Sequence, residues 1–139
     1  MIEIERKFLV DKEKLPSLSN GQNIIQGYLC DTPMIRFRII NNQIVIGIKK
    51  PLPDGSRFEI ETYKDMDSLQ ERNVLETMAI YPVVEKTRYR VKENNLVWEI
   101  DVYARENNGL ITVDVELPSL DYRIDFPVWV DLTKEITMD

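Results

Sequence analysis

Apolar and polar residues alternate along most of the chain with the period of two that marks strands with one face in a core. In the first ten residues Ile2, Ile4 and Phe8 fall on one side, and Glu3, Glu5 and Lys7 on the other. Arg36 and Arg38 alternate with Ile35, Phe37 and Ile39, while Lys49 ends a run whose other face is Ile44, Ile46 and Ile48. Arg57, Glu59 and Glu61 alternate with Phe58 and Ile60, and Lys86, Arg88 and Arg90 with Thr87, Tyr89 and Val91. Glu99 and Asp101 alternate with Trp98, Ile100 and Val102; Asp114 and Glu116 with Val113, Val115 and Leu117. These runs predict strands over roughly 1–10, 23–30, 34–40, 43–50, 56–63, 82–92, 96–104 and 110–117.

Most runs are joined by residues that accept the positive φ angles of tight hairpins: Asn41-Asn42, Pro53-Asp54-Gly55, Asn94-Asn95 and Asn107-Asn108-Gly109. Short links between consecutive strands predict a largely antiparallel sheet. One stretch breaks the period. Leu69, Val74, Leu75 and Met78 recur at helical spacing behind Asp67, which predicts a capped helix over 67–79 that packs on the sheet. A short turn is expected near Lys12–Leu18, and the tail from Pro127 to Asp139 reads as irregular or weakly helical.

The charged faces are unusual. Like charges sit two apart on one strand, about 7 Å from each other, and strand propensity asks for no such pairs. Two carboxylates so placed suit a hard divalent cation, and the Arg-rich faces suit forked contacts to phosphate. Acidic and basic strands brought together would give one region for cations and another for phosphates. The plain alternative is a sandwich whose charged face meets water. Periodicity leaves open whether that face points outward or into a lumen.

Composition narrows the choice. The 139 residues predict one domain spanning 1–139 with a sizeable core. A net charge of −6 argues against non-specific nucleic-acid or anionic-membrane binding. The absence of histidine removes His-based nucleophilic schemes and His-ligated zinc. The lone Cys30 excludes an internal disulfide, fits a reducing compartment and reads as a small buried hydrophobe. With no leader-like N-terminus and no apolar run near the length of a membrane span, a cytoplasmic location is expected.

Glu3-Ile4-Glu5-Arg6-Lys7 resembles the Glu-x-Glu-x-Lys signature of the CYTH superfamily, the triphosphate tunnel metalloenzymes. The resemblance continues in order through Gln26-Gly27-Tyr28-Leu29, Arg36-x-Arg38, Ile48-Lys49 and Arg57-x-Glu59-x-Glu61. Beyond the helix it runs through Glu85-Lys86-Thr87-Arg88-Tyr89, Glu99-Ile100-Asp101, Gly109-Leu110 and Asp114-x-Glu116-Leu117. Pro127-x-Trp129 and Glu135-Ile136-Thr137 close the match. Asp114 stands where the family usually has Glu, one methylene shorter.

The resemblance implies an α+β, mainly-β fold: an eight-stranded antiparallel closed barrel with inward charged faces and one or two flanking helices. It implies hydrolysis of inorganic triphosphate to pyrophosphate and phosphate with Mg²⁺ or Mn²⁺. Relatives act on nucleoside or thiamine triphosphates or cyclise ATP, and a non-catalytic triphosphate or polyphosphate binder is a further alternative. Carried over by residue, Glu3, Glu5, Asp101, Asp114 and Glu116 would hold metal, with Glu59, Glu61 and Glu99 as additional candidates. Lys7, Arg36, Arg38, Lys49, Arg57, Lys86 and Arg88 would bind phosphate, and Lys7, Glu5 and Arg88 would carry the chemistry. Arg90 falls outside the family motif, Tyr28 reads as structural at a tunnel mouth, and Trp98 and Trp129 as core or lid. Relatives continue past the Glu-Ile-Thr run, so one tunnel end is expected to be open or sealed by a second subunit. The outward apolar residues Ile35, Phe37, Ile44, Ile46 and Ile48 exceed what one helix covers, which predicts a homodimer.

Overall fold

The computed structural model describes residues 2–77 and 82–137. The first alternating run forms two strands, β1 (Ile2–Glu3) and β2 (Glu5–Val10), and a 3₁₀ turn follows at Lys12–Lys14. Then come β3 (Gln22–Cys30), β4 (Met34–Ile40), β5 (Gln43–Pro51) and β6 (Arg57–Asp65). After helix α1 (Ser68–Thr77), the chain continues with β7 (Val84–Glu93), β8 (Leu96–Tyr103), β9 (Ile111–Glu116) and β10 (Val130–Glu135).

The strands make a ten-stranded antiparallel sheet in the order β1-β6-β5-β4-β3-β7-β8-β9-β2-β10. Two strands exceed the eight that alternation predicts. The first run is interrupted at Ile4, and the tail that reads as irregular or weakly helical instead pairs with β2, Val130 opposite Val10 and Glu135 opposite Phe8. The Asn-Asn turns take the positive φ angles expected, 50° and 62° at Asn41 and Asn42 and 53° and 65° at Asn94 and Asn95.

Asp67 caps α1 reciprocally: its Oδ1 accepts from the Gln70 N–H at 2.8 Å, and the Gln70 side chain accepts from the Asp67 N–H at 3.0 Å. Met78, assigned to the same helix from its spacing, lies outside the described residues. Among those described, no helix is long and apolar enough to cross a membrane.

Two apolar clusters cover the sheet's outer face. Phe8, Trp98, Ile100, Val113 and Val115 pack beneath the chain that follows β9, where Trp129 meets Trp98 edge to face at 5.8 Å. Phe37, Ile39 and Ile44 pack with Met66 and with Val74 of α1. The helix region therefore buries Phe37 and Ile44, two residues on which the dimer expectation rested. Ile48 remains 37% exposed, and its cross-strand partner Ile60 is 52% exposed. Cys30 is half-buried, not buried, with its thiol toward the Thr32 carbonyl.

Candidate active site

With the apolar faces packed outside, the charged faces wall a cavity of about 790 Å³. Glu3, Glu5 and Lys7 enter it from the N-terminal strands, Arg36 and Arg38 from β4, and Lys49 from β5. β6 adds Arg57, Glu59 and Glu61, β7 adds Lys86, Arg88 and Arg90, β8 adds Glu99, and β9 adds Asp114 and Glu116. Every residue carried over from the family pattern is on this wall except Asp101. That side chain is 0% exposed and lies behind the wall.

Register decides how the charges meet. Separate acidic and basic regions were expected, but the antiparallel ladders set most acids against bases. Glu3 faces Arg57, Lys49 faces Glu59, Arg88 faces Asp101, Arg90 faces Glu99 and Lys7 faces Asp114. Strand β9 departs from this rule. Its Glu116 faces Glu5 and its Asp114 faces Glu99. Like charges directly opposite destabilise a ladder, so the acidic focus lies where β9 meets β2.

Burial sharpens the conflict there. It raises the Glu5 carboxyl above its usual range, opposed by Lys49 and reinforced by the neighbouring Glu3. It also pushes Asp114 up to about 6, although Lys7 pulls the other way. The Asp114 Oδ1 is buried without a hydrogen-bond partner; its nearest cation is the Lys7 ammonium at 3.6 Å. Lys7 itself is drawn down by burial, but Asp114, Tyr103, Glu5 and Asp101 outweigh this and hold it above its ordinary value.

Most wall acids are nevertheless tied to bases; among the described residues Glu116 has no such ion pair. Glu3 accepts from Lys49 at 3.2 Å, Glu61 from Arg38 at 2.7 Å, and Glu5 lies 3.8 Å from Arg57. Glu59 is 3.8 Å from Lys49, and Glu99 is 3.6 Å from Arg88 and 3.1 Å from Arg90. Asp101 is the most committed. It accepts two parallel bonds from Arg88, at 2.8 and 2.9 Å, and lies 2.8 Å from Lys86.

Burial lowers Lys86 to about 8 despite Asp101. It also lowers Arg38 and Lys49, and in both cases the nearby Arg36 adds to the effect. Among the described residues Arg36 lines the cavity without an ion-pair partner. No three carboxylates among the described residues are already gathered into a cage.

Sequence reasoning missed several wall residues. Gln26 is buried on β3 and donates to the Tyr28 hydroxyl at 3.1 Å, leaving its own Oε1 without a partner. Tyr103 and Thr112 also line the cavity. Strand parity carried the signal for all three, since Gln26 shares a face with Tyr28, Tyr103 with Asp101, and Thr112 with Asp114. Tyr28, read as structural at a tunnel mouth, lies on the wall as well.

Fold and site together define a mainly-β protein organised around a charge-walled cavity. No family model matches the chain. It is 32% identical to the inorganic triphosphatase of Acetivibrio thermocellus over 99% of this chain and 86% of that protein. The solved structure of the inorganic triphosphatase NE1496 superposes with a TM-score of 0.67 at 29% identity, covering 98% of this chain and 90% of that one. A putative adenylate cyclase from Bacillus halodurans shares the fold at 16% identity, with a TM-score of 0.57 over 84% of this chain and 81% of that one. The chain belongs to the CYTH-like triphosphate tunnel family.

Proposed function

We propose that this chain hydrolyses inorganic triphosphate to pyrophosphate and phosphate with the help of a divalent metal ion, inside a tunnel that the N-terminal segment closes. The observation that carries the reading is the cavity wall. Among the described residues it holds a guanidinium without an ion-pair partner, Arg36, and a buried carboxylate oxygen without a hydrogen-bond partner, on Asp114, and so asks for an anion and a cation together. The relationship to the two inorganic triphosphatases supports the choice of substrate.

Closure is supported by the way the N-terminal residues pair. β1 bonds to β6 and β2 to β9, with only Ile4 between them, and the Ile4 carbonyl accepts from the Leu117 N–H at 2.8 Å. β1, at one end of the strand order, and β2, which lies next to β10 at the other, are thus parts of one continuous stretch of chain.

The donor set fits a hard divalent ion. It offers oxygen ligands only, crowded until Glu5 and Asp114 both resist ionisation, with one oxygen unsatisfied. Glu3, Glu5, Asp114 and Glu116 are the residues to hold Mg²⁺ or Mn²⁺. When bound, such an ion neutralises phosphate oxygens and polarises the phosphorus. Asp101 has both oxygens engaged by Arg88 and Lys86, which makes it the anchor of those two bases. Glu59, Glu61 and Glu99 serve in the same way for Lys49, Arg38, Arg88 and Arg90.

Phosphoryl transfer needs positioning and charge stabilisation more than covalent chemistry. Arg36, Arg38, Lys49, Arg57, Lys86 and Arg88 would spread the triphosphate along the wall and match its charge. Lys7, beside Asp114 and held protonated, would face the terminal phosphate and the charge that builds on it in the transition state.

A phosphate-release panel tests the reading. Triphosphate, pyrophosphate, ATP and thiamine triphosphate are compared with Mg²⁺, with Mn²⁺ and with chelator. Metal-dependent release from triphosphate above all others is expected. Preferred release from ATP or thiamine triphosphate would reassign the substrate, and tight triphosphate binding without turnover would make the chain a binder.

A further inference from the structure

Two residues past β10, the strand that the sequence does not announce, Thr137 touches both sides of the seam between β2 and β6. The Thr137 hydroxyl accepts from the Lys7 backbone N–H at 3.2 Å, and the Thr137 carbonyl accepts from the Arg57 guanidinium at 3.2 Å. One residue earlier, the Ile136 N–H donates to the Lys7 carbonyl at 2.8 Å, so the tail brackets Lys7 through both of its backbone groups.

The hydroxyl is itself aimed. It donates to Glu135 Oε2 at 2.6 Å, and Glu135 is gripped by Arg6 through two bonds at 2.8 and 2.6 Å. Arg6 in turn lies over the rings of Phe8 and Phe126, at 5.1 and 5.7 Å from their centroids. Phe8 is a core residue, and Phe126 packs on that core. A continuous set of contacts thus runs from the apolar cluster outside the sheet to two cations on the cavity wall.

We infer that Thr137 is a positioning residue that fixes Lys7 and Arg57 relative to each other across the β2–β6 seam, with Arg6 and Glu135 setting its hydroxyl. The inference rests on the proposed triphosphatase reading for its consequence, since Lys7 and Arg57 are the cations it would aim at phosphate. Without the hydroxyl, Lys7 keeps its charge but loses one backbone anchor. Substrate is then held less well in the geometry that reacts.

The experiment compares the wild type with Thr137→Val, which keeps the side-chain shape, Thr137→Ser, which keeps the hydroxyl, and Glu135→Gln. Hydrogen exchange is read at the Lys7 and Ile136 amides, alongside KM and kcat for triphosphate. In Thr137→Val the Lys7 amide should exchange about tenfold faster, the order expected for one lost hydrogen bond. Ile136 should stay protected, because its bond is backbone to backbone, and KM should rise several-fold. Thr137→Ser should restore both readouts, and Glu135→Gln should fall between. Unchanged Lys7 exchange in Thr137→Val overturns the inference. So does faster exchange with wild-type KM and kcat, and so does equal loss of protection at Lys7 and Ile136, which marks a general loosening of the tail. If Thr137→Val does not fold, Glu135→Gln and Thr137→Ser decide by the same readouts. A wild type that neither binds nor cleaves triphosphate defeats the functional reading instead, and the exchange data then judge the Lys7 anchor by themselves.

Discussion

Glu5 and Glu116 face each other directly across the β2–β9 ladder, two carboxylates where antiparallel pairing favours unlike charges. The neighbouring register pair, Lys7 with Asp114, relieves the crowding only in part, at 3.6 Å. A fold carries such a conflict when something bound there resolves it. Removing the Glu5 charge should therefore cost function, not folding. Glu5→Gln should fold at least as well as the wild type without metal, lose most triphosphate turnover and require more metal for what remains. Glu76→Gln, on the exposed face of α1, should match the wild type within error. Equal phosphate release from the two variants contradicts the assignment.

Arg36 is the cation on the wall that no carboxylate of the described residues neutralises. Arg36→Ala should raise KM for triphosphate by about tenfold or more, the range for losing a charged hydrogen bond, with a smaller change in kcat. It should also relieve Lys49 and Arg38, whose charged forms Arg36 disfavours. A wild-type KM would remove Arg36 from the phosphate path.

Asp101 makes a different demand. Fully buried and shared by Arg88 and Lys86, it is an anchor whose loss strands two buried cations. Asp101→Ala should cost about 3–5 kcal/mol, the range for breaking a buried pair from one side. Urea unfolding in chelator, without metal or substrate, checks this. A cost below about 1 kcal/mol, typical of exposed ion pairs, would mean that Asp101 does not hold those bases.

The tail anchor has a pH signature. Arg6 holds the Glu135 carboxyl below its usual range. A carboxylate whose folded pKa is depressed stabilises the fold above its unfolded value and loses that contribution as pH falls through the folded one. The wild type should exceed Glu135→Gln by about 1 kcal/mol or less, since the pair is partly exposed. The difference should hold above the ordinary carboxylate range, about pH 5 and up, and fade as pH falls through the lower pKa of the folded state. Denaturant unfolding across this window is the measurement, and a difference that grows on acidification reverses the sign.

The strands and their faces were legible because parity is a local property. Ile100 and Asp101 differ by one position, and the alternation sends one into the apolar cluster and the other toward Arg88. The start of α1 was legible for the same reason, since the Asp67 and Gln70 cap lies within one turn. Register was not legible, because it couples distant segments. Nothing in the spacing of Asp114 and Glu116 says that Glu116 will face Glu5 while Asp114 faces Lys7. Asp101 reads as one acid of a set, and only the pairing of β7 with β8 shows that its oxygens are already engaged. β10 was missed because Val130-Asp131-Leu132-Thr133 alternates too briefly to register as a strand. Its stability comes instead from pairing with β2 and from Trp129 in the core.

The most direct test of a joint metal and triphosphate site is a crystal structure with Mn²⁺ and triphosphate, the ion located by its anomalous scattering. The account predicts manganese among Glu5, Asp114 and Glu116, with phosphate oxygens reaching Arg36 and Lys7. Manganese and phosphate found only on the outer surface, with this cavity holding solvent alone, would contradict it.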